Sequence, residues 1–279
     1  MNRILVVEDV SNTCNFMREV LSAEGYAVDA ASDGVEALEQ LKKEPFDLIV
    51  LDIWMPRMDG LEFLARLREC PSPPRVVVVT VDDAPETVLG ALQQQASSYI
   101  TKPFKRGELL EAVRNALTTP PLSPPIEVLS ARRDWVELLV PCSFQAGERI
   151  QDFLDRLKVG LPDDVRQAVG AAFRELLFNA IEWGGQLDPS RKVRIACLHT
   201  PRMLMYRIAD PGTGFPPEAL EHSALANPPD HPTEHLRVRE RKGMRPGGLG
   251  ILMARAMVDE LVYNEKHNEV VFVKYLKPD

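Results

Sequence analysis

The 279-residue chain predicts two units of different fold class: an α/β doubly wound parallel sheet, then an α+β two-layer sandwich. Three observations carry this prediction. In the first half, short apolar β-branched runs alternate with helical patterns, as parallel strands buried on both faces do. In the second half, helical runs and alternating strand pairs suit a largely antiparallel sheet with helices on one face. Between them, "TTPPLSPPIE" (Thr118 to Glu127) holds four prolines and no helical period, and reads as a semi-rigid linker. The expected boundaries are residues 1–120, a linker over 121–126, and residues 127–279.

In the first half, "ILVV" leads into Glu8 and Asp9, and a helical pattern runs from about Asn12 to Ala23. A shorter strand near Ala27 to Ala30 precedes a helix over Gly34 to Lys42. "LIVL" then ends at Asp52 and is followed by a helix over Gly60 to Arg68. "VVVV" ends at Thr80, with a helix over Glu86 to Gln94, and "YIT" ends at Lys102, with a helix over Lys105 to Leu117. In doubly wound sheets, ligands sit beyond the carboxyl ends of the strands. Here those ends carry two acids, a third acid, a hydroxyl and an amine. Phosphoryl transfer to a carboxylate requires such a set. Glu8, Asp9 and Asp52 offer oxygen ligands to a hard divalent cation such as Mg²⁺. The ion would offset repulsion between Asp52, as nucleophile, and an incoming phosphoryl group. Lys102 and Thr80 would contact phosphoryl oxygens. One acid after a strand is commonly a turn residue or helix cap; the matched set is the specific signal.

The stretches "VVEDV", "LDIWMPRMDG", "VVVVT" and "YITKPF" resemble the receiver domain of two-component response regulators, over about residues 1 to 120. The resemblance implies a flavodoxin-like fold, Asp52 as phosphoacceptor, and Glu8, Asp9 and the Trp54 backbone carbonyl as Mg²⁺ ligands. It further implies Thr80 and Tyr99 as a switch pair, Lys102 on the phosphate, a cis Lys102–Pro103 bond, and an upstream histidine kinase as phosphodonor.

In the second half, "DWVELLVP" reads as a strand, and Ser143 caps a helix to about Leu157. "LPDDVRQAVGAAFRELLFNAIEWGG" has proline and two aspartates at its start and two glycines at its end, the signals of a long helix. Within it Glu175, Asn179 and Glu182 share one face. "KVRIACLHT" and "MLMYRIAD" read as a strand pair, "LGILMARAMVDEL" as a helix, and "LVYN" with "EVVFVKYL" as a closing hairpin. Two glycine-bearing loops, "DPGTGF" after a strand and "RPGGLG" before a helix, let backbone approach a ligand and supply amide donors. The proline-rich stretch from Pro216 to Pro246 reads as a mobile loop.

That order of motifs, an acid-xxx-Asn helix, Asp-x-Gly-x-Gly, then Gly-x-Gly, resembles the GHKL ATPase superfamily over about residues 127 to 279. Within it the chain is most similar to anti-sigma-factor serine kinases. The resemblance implies ATP with Mg²⁺ on Asn179, and adenine on Asp210 with Gly212 and Gly214. It also implies phosphates at Gly248 and Gly250 beneath a lid, and Glu175 as general base. Arg237, Arg239, Arg241, Lys242 and Arg245 would offset triphosphate charge. Trp183 stands where many such kinases carry His. Residues 118 to 160 hold no histidine, which argues against a histidine kinase with its own phosphoacceptor helix. The expected function is therefore a receiver-gated protein serine/threonine kinase acting on an anti-sigma-factor antagonist. The alternative is an ATP-dependent switch that sequesters a sigma factor or other regulator without catalysis.

Composition bounds these readings. The apolar fraction of 45% can build ordinary cores, and a formal net charge of −8 disfavours direct DNA binding. Four scattered cysteines without a CxxC pair fit reduced thiols in a cytosolic protein. The start, "MNRILVVEDV", lacks the apolar core of a signal peptide. No run reaches the ~20 apolar residues of a membrane span, so a cytoplasmic protein without membrane contact is expected. Both families allow a homodimer.

Overall fold

The computed structural model describes residues 1–82, 84–120, 122, 124–132, 134–156, 161–214, 234–241 and 249–276. The chain divides into two compact units, Met1–Leu122 and Ser123–Asp279.

The first unit follows the alternation of its sequence: β1 (Arg3–Val7), α1 (Ser11–Ala23), β2 (Ala27–Ala31), α2 (Gly34–Lys43), β3 (Leu48–Leu51), α3 (Gly60–Leu67), β4 (Arg75–Thr80), α4 (Pro85–Gln93), β5 (Ser98–Thr101) and α5 (Arg106–Thr118). The five strands pair in parallel in the order β2-β1-β3-β4-β5. All four residues of β3, and all but the first of β1 and β4, are buried, because helices cover both faces of the sheet. Ile4, Val6, Leu48, Val50, Val77 and Val79 pack against Met17, Leu21, Leu109 and Val113 of α1 and α5. The strand order reverses beside β1, and that is where a doubly wound sheet opens its ligand crevice. The Asp52 N–H donates to the Val7 carbonyl at 2.9 Å, which sets the end of β3 beside Glu8. The Lys102–Pro103 bond is cis.

The second unit contains β6 (Glu127–Arg132), β7 (Trp135–Pro141), α6 (Phe144–Arg156), α7 (Asp163–Asn179), β8 (Lys192–Thr200), β9 (Met203–Ala209), α8 (Glu234–Arg241), α9 (Gly250–Met257), β10 (Glu260–Tyr263) and β11 (Glu269–Tyr275). Among the described residues, its strands form one antiparallel six-stranded sheet, ordered β10-β11-β9-β8-β7-β6. Burial alternates along β7 and β9, so one face meets the helices. Phe173 of α7 lies 5.2 Å from Tyr206 of β9, which stacks at 5.0 Å on Phe272 of β11. This aromatic column joins helix layer to sheet and leaves Glu175 and Asn179 half-buried at the margin of the core.

Four local expectations differ from this structure. β6 lies where no strand is expected: "EVLSAR" alternates poorly because the strand is an edge, with a register shift between Val128 and Ser130. The long helix closes in a π-helical turn, Ala180–Gly184, rather than continuing as regular helix to its glycines. The last helix stops at Met257, short of "DEL", because the Asp259 N–H bonds to Val273 and Glu260 already pairs in the sheet. Within the stretch expected as a loop, Glu234–Arg241 is helical; its leucine, glutamates and arginines favour helix, with Arg237 and Glu234 3.8 Å apart one turn from each other. The rest of that stretch, with Lys242 and Arg245, lies outside the described residues, as does Gly248 beyond it, and of the Arg239 side chain nothing is described. No helix among the described residues is long and apolar enough to cross a membrane.

Candidate functional sites

At the crevice of the first unit, β1 delivers Glu8 and Asp9, β3 delivers Asp52, and β5 delivers Lys102. Lys102 Nζ lies 2.6 Å from Glu8 Oε2 and 2.6 Å from Asp52 Oδ2. Ligand oxygens of Glu8, Asp9 and Asp52 all lie within 4.8 Å of one another. One ammonium thus pairs with two of the three carboxyl groups. Burial pushes the Glu8 carboxyl above its ordinary range, with the Lys102 hydrogen bond opposing and the Asp52 charge reinforcing the rise. Burial also works against the charge on Lys102, yet its hydrogen bonds to Asp52 and Glu8 hold its pKa above the usual value. A cluster of hard oxygen donors with uncompensated negative charge suits a divalent cation such as Mg²⁺. Asp52 Oδ1 accepts the backbone N–H of Ile53 at 2.6 Å and of Trp54 at 3.3 Å, which turns the other oxygen toward Lys102.

Thr80 ends β4 fully buried, and its Oγ accepts the Asp82 N–H at 3.4 Å. The Tyr99 ring is buried and its hydroxyl donates to the Asp82 carbonyl. Asp82 itself was not read as functional from sequence. Its carboxylate accepts Thr87 Oγ1 at 2.6 Å, the Ala84 N–H at 2.9 Å and the Trp54 indole at 3.3 Å. It therefore links the loop after Asp52, the start of α4 and the Thr80/Tyr99 pair. Its one legible signal is an acid two residues after a strand-ending hydroxyl, too common a pattern to single out. Opposite, Arg57 takes φ 64 and pairs with Asp33, whose carboxylate also caps α2 through Val35 (2.8 Å) and Glu36 (3.1 Å).

In the second unit, α7 and its π turn carry Glu175, Asn179 and Gly184 in succession. A side chain at Gly250, the first residue of α9, would run into Glu175 Oε2, so α9 opens directly over that carboxylate. A side chain at Gly184 would overlap the carboxylate of Asp210. One helical run thus touches both the start of α9 and the end of β9. Asp210 Oδ1 accepts the Gly212 N–H at 2.7 Å, and Arg191 bonds the Pro211 carbonyl at 2.6 Å. Burial raises the Asp210 pKa above the ordinary aspartate value, partly offset by the Gly212 N–H and the Arg191 charge. Burial and the nearby Asp210 charge push Tyr263 up to about 12. Gly214, at φ 82, lies against the Lys266 carbonyl and admits no side chain. Trp183 stands exposed on the π turn. Gly184 and Asn268 (described below) escaped the sequence reading, because their partners are distant in the chain. The run from α7 through the π turn therefore brings the start of α9 against Glu175 and the end of β9 against Gly184.

Comparison with known proteins places these two sites in family context. Residues 4–114 match the response regulator receiver domain model, and residues 145–274 match the histidine kinase-like ATPase domain model. Response regulator MprA of Mycobacterium leprae is 40% identical over 115 residues, covering 41% of this chain and 50% of that protein. Response regulator ArlR of Staphylococcus aureus is 36% identical over 128 residues, covering 46% and 58%. The chain thus spans about half the length of these curated relatives. A solved receiver domain protein from Methanospirillum hungatei is 31% identical, covering 42% of this chain and 94% of its own, with a TM-score of 0.41.

Proposed function

Because the chain carries a response regulator receiver domain over residues 4–114 and a histidine kinase-like ATPase domain over residues 145–274, we propose that phosphorylation of Asp52 controls an ATP-dependent output. In this reading residues 1–120 receive the signal, 121–126 link, and 127–279 act. An upstream histidine kinase supplies the phosphoryl group. Asp52 Oδ2 attacks its phosphorus, the bond to the kinase histidine breaks, and Lys102 takes a phosphoryl oxygen. Glu8, Asp9, Asp52 and the Trp54 carbonyl would hold a Mg²⁺, which would supply screening of the charge on the phosphoryl oxygens. Thr80 then moves toward the phosphoryl group and Tyr99 follows.

The output is a protein serine/threonine kinase of anti-sigma-factor type, acting in the cytoplasm on an anti-sigma-factor antagonist. Asn179 would hold the Mg²⁺ of ATP, Asp210 with Gly212 and Gly214 would take adenine, and Gly248 and Gly250 would take the phosphates. Glu175 removes the proton of a partner hydroxyl. Its oxygen attacks the γ-phosphorus in line, the bond to the β-phosphate oxygen breaks, and ADP leaves. The observation that carries the reading is the single helical run that touches α9 through Glu175 and Asp210 through Gly184. In this reading Glu175 serves phosphoryl transfer and the Asp210 carboxylate reads the base. Incubation with labelled ATP and antagonist proteins is expected to place label on Ser or Thr. Label on His or Asp defeats the reading.

Exposed Trp183, where the resemblance implies His, favours a second reading: a switch that sequesters a sigma factor or other regulator when ATP is bound. Glu175→Ala separates the two. Regulation that survives with ATP binding intact selects the switch.

A further inference from the structure

The β10–β11 turn is tied to the Asp210–Gly214 loop by more than a hairpin needs. The Asp210 N–H donates to the Asn268 carbonyl at 2.9 Å, and Asn268 Nδ2 donates to the Gly212 carbonyl at 3.0 Å. Asn268 is itself fixed from behind. Its N–H donates to Asn264 Oδ1 at 3.1 Å, and its Oδ1 accepts from Asn264 Nδ2 at 2.8 Å. The side-chain amide is therefore oriented by two partners, with its donor end committed to Gly212. Gly212 is the relay: its carbonyl is held by Asn268 and its N–H by Asp210 Oδ1, at 2.7 Å. Gly184 closes on the same Oδ1 side of the Asp210 carboxylate and lies against Gly212. Oδ1 is thus held between Gly184 and Gly212, and Asn268 fixes the loop that sets it.

We propose that Asn268 is a positioning residue for base recognition, holding Gly212 so that the Asp210 carboxylate faces the ring edge of the bound purine. The inference rests on the reading of Asp210 as acceptor for an exocyclic amino group. The physical argument is one of discrimination. A fixed carboxylate accepts from a 6-amino purine and opposes a 6-oxo purine, whose oxygen is also an acceptor. A carboxylate free to turn accepts from the first less well and avoids the second. Losing Asn268 should therefore change the ratio of affinities, whereas a merely structural role would lower both together.

The experiment is titration calorimetry of the full chain with ADP and with GDP, in excess Mg²⁺. Wild type is expected to prefer ADP, and Asp210→Asn to lose that preference. Asn268→Ala is expected to weaken ADP about tenfold, the value of one well-placed hydrogen bond, and to cut the ADP-over-GDP ratio several-fold. Asn268→Asp keeps the shape but removes the Nδ2 donor, and is expected to do the same; it decides the matter if the alanine variant does not fold. A wild-type ratio in both Asn268 variants, with the preference lost in Asp210→Asn, overturns the Asn268 inference alone. Wild type that takes up neither nucleotide, or shows no preference, overturns the Asp210 reading and this inference with it.

Discussion

Glu175 and Asp210 are both half-buried acids, yet they are placed for different work. Glu175 lies under the first residue of α9, where a side chain at Gly250 would displace its carboxylate. If it is the general base, Glu175→Ala should lower the phosphoryl-transfer rate about a hundred- to ten-thousand-fold while leaving the ATP dissociation constant near wild type. Rapid-quench measurement alongside calorimetry checks both. Asp210 should instead act on binding, with a pH signature. Burial raises its pKa, so it takes up a proton at a higher pH than an ordinary aspartate. Only the charged form accepts without restriction from an amino group. Nucleotide affinity should therefore fall as pH drops through that raised value and recover above it. The phosphates titrate as well, so the measured quantity is the difference between the wild-type and Asp210→Asn affinity profiles from pH 7 to 4.5. Parallel profiles would remove Asp210 from the base site. The pairing of Glu175 and Asn179, four residues apart in one regular helix, was legible in the sequence; Glu182 falls in the π turn, where that spacing no longer holds. Gly184 and Asn268 were not legible, because their roles arise from contacts across 26 and 56 residues of chain, to Asp210 and Gly212.

At the scale of elements, the loops are held by a few side chains that cap and brace at once. Asp33 caps α2 and pairs with Arg57 in the loop that follows Asp52. Burial alone would raise its pKa, but the N–H groups of Glu36 and Val35 and the Arg57 guanidinium hold it below the ordinary value. A depressed folded-state pKa contributes stability that is present above the unfolded pKa and lost as pH falls through the folded one. Asp33→Ala should cost about 1–2 kcal/mol near neutral pH, mostly the lost cap. It should cost less once acid has protonated the wild-type carboxyl; denaturant melts at pH 7 and pH 3 measure the contrast. The mostly exposed Arg57 adds little to that figure. The π turn makes a second test. Gly184→Ala should displace the Asp210 carboxylate and reduce nucleotide affinity more than the few tenths to 1 kcal/mol by which alanine usually outdoes glycine in a helix. Affinity at the wild-type level, with the fold intact by circular dichroism, would show that the turn tolerates a methyl group. Strand β6 and the π turn lay beyond sequence reading for physical reasons: an edge strand needs no strict alternation, and a π turn has no propensity signature of its own.

For the whole molecule, the proposed control of one unit by the other is a coupling free energy and must be reciprocal. If Asp52 phosphorylation changes ATP affinity by some factor, ATP must shift the Asp52 phosphorylation equilibrium by the same factor. A coupling of about 1–3 kcal/mol corresponds to a 5- to 150-fold change. The measurement compares ATP dissociation constants of the phosphorylated chain and of Asp52→Asn, then the equilibrium phosphorylation level with and without ATP. Equal affinities in the two forms would mean that the receiver governs partner docking and not the nucleotide.

The sequence by itself determined the parallel alternation of the first unit, the polar residues at the ends of four of its five strands, and the order of the acid-Asn helix and glycine loops in the second. Those features are local: they follow from hydrophobic period, strand length and the position of polar residues at element ends. Only the tertiary structure decided that Asp82 joins Trp54 to the Thr80/Tyr99 pair, that Gly184 walls Asp210, and that a hairpin turn braces the glycine loop through Asn268. Each depends on backbone brought together from separate elements. No pattern along the chain records such a meeting, because the contact energy belongs to the pair and neither residue alone carries its mark.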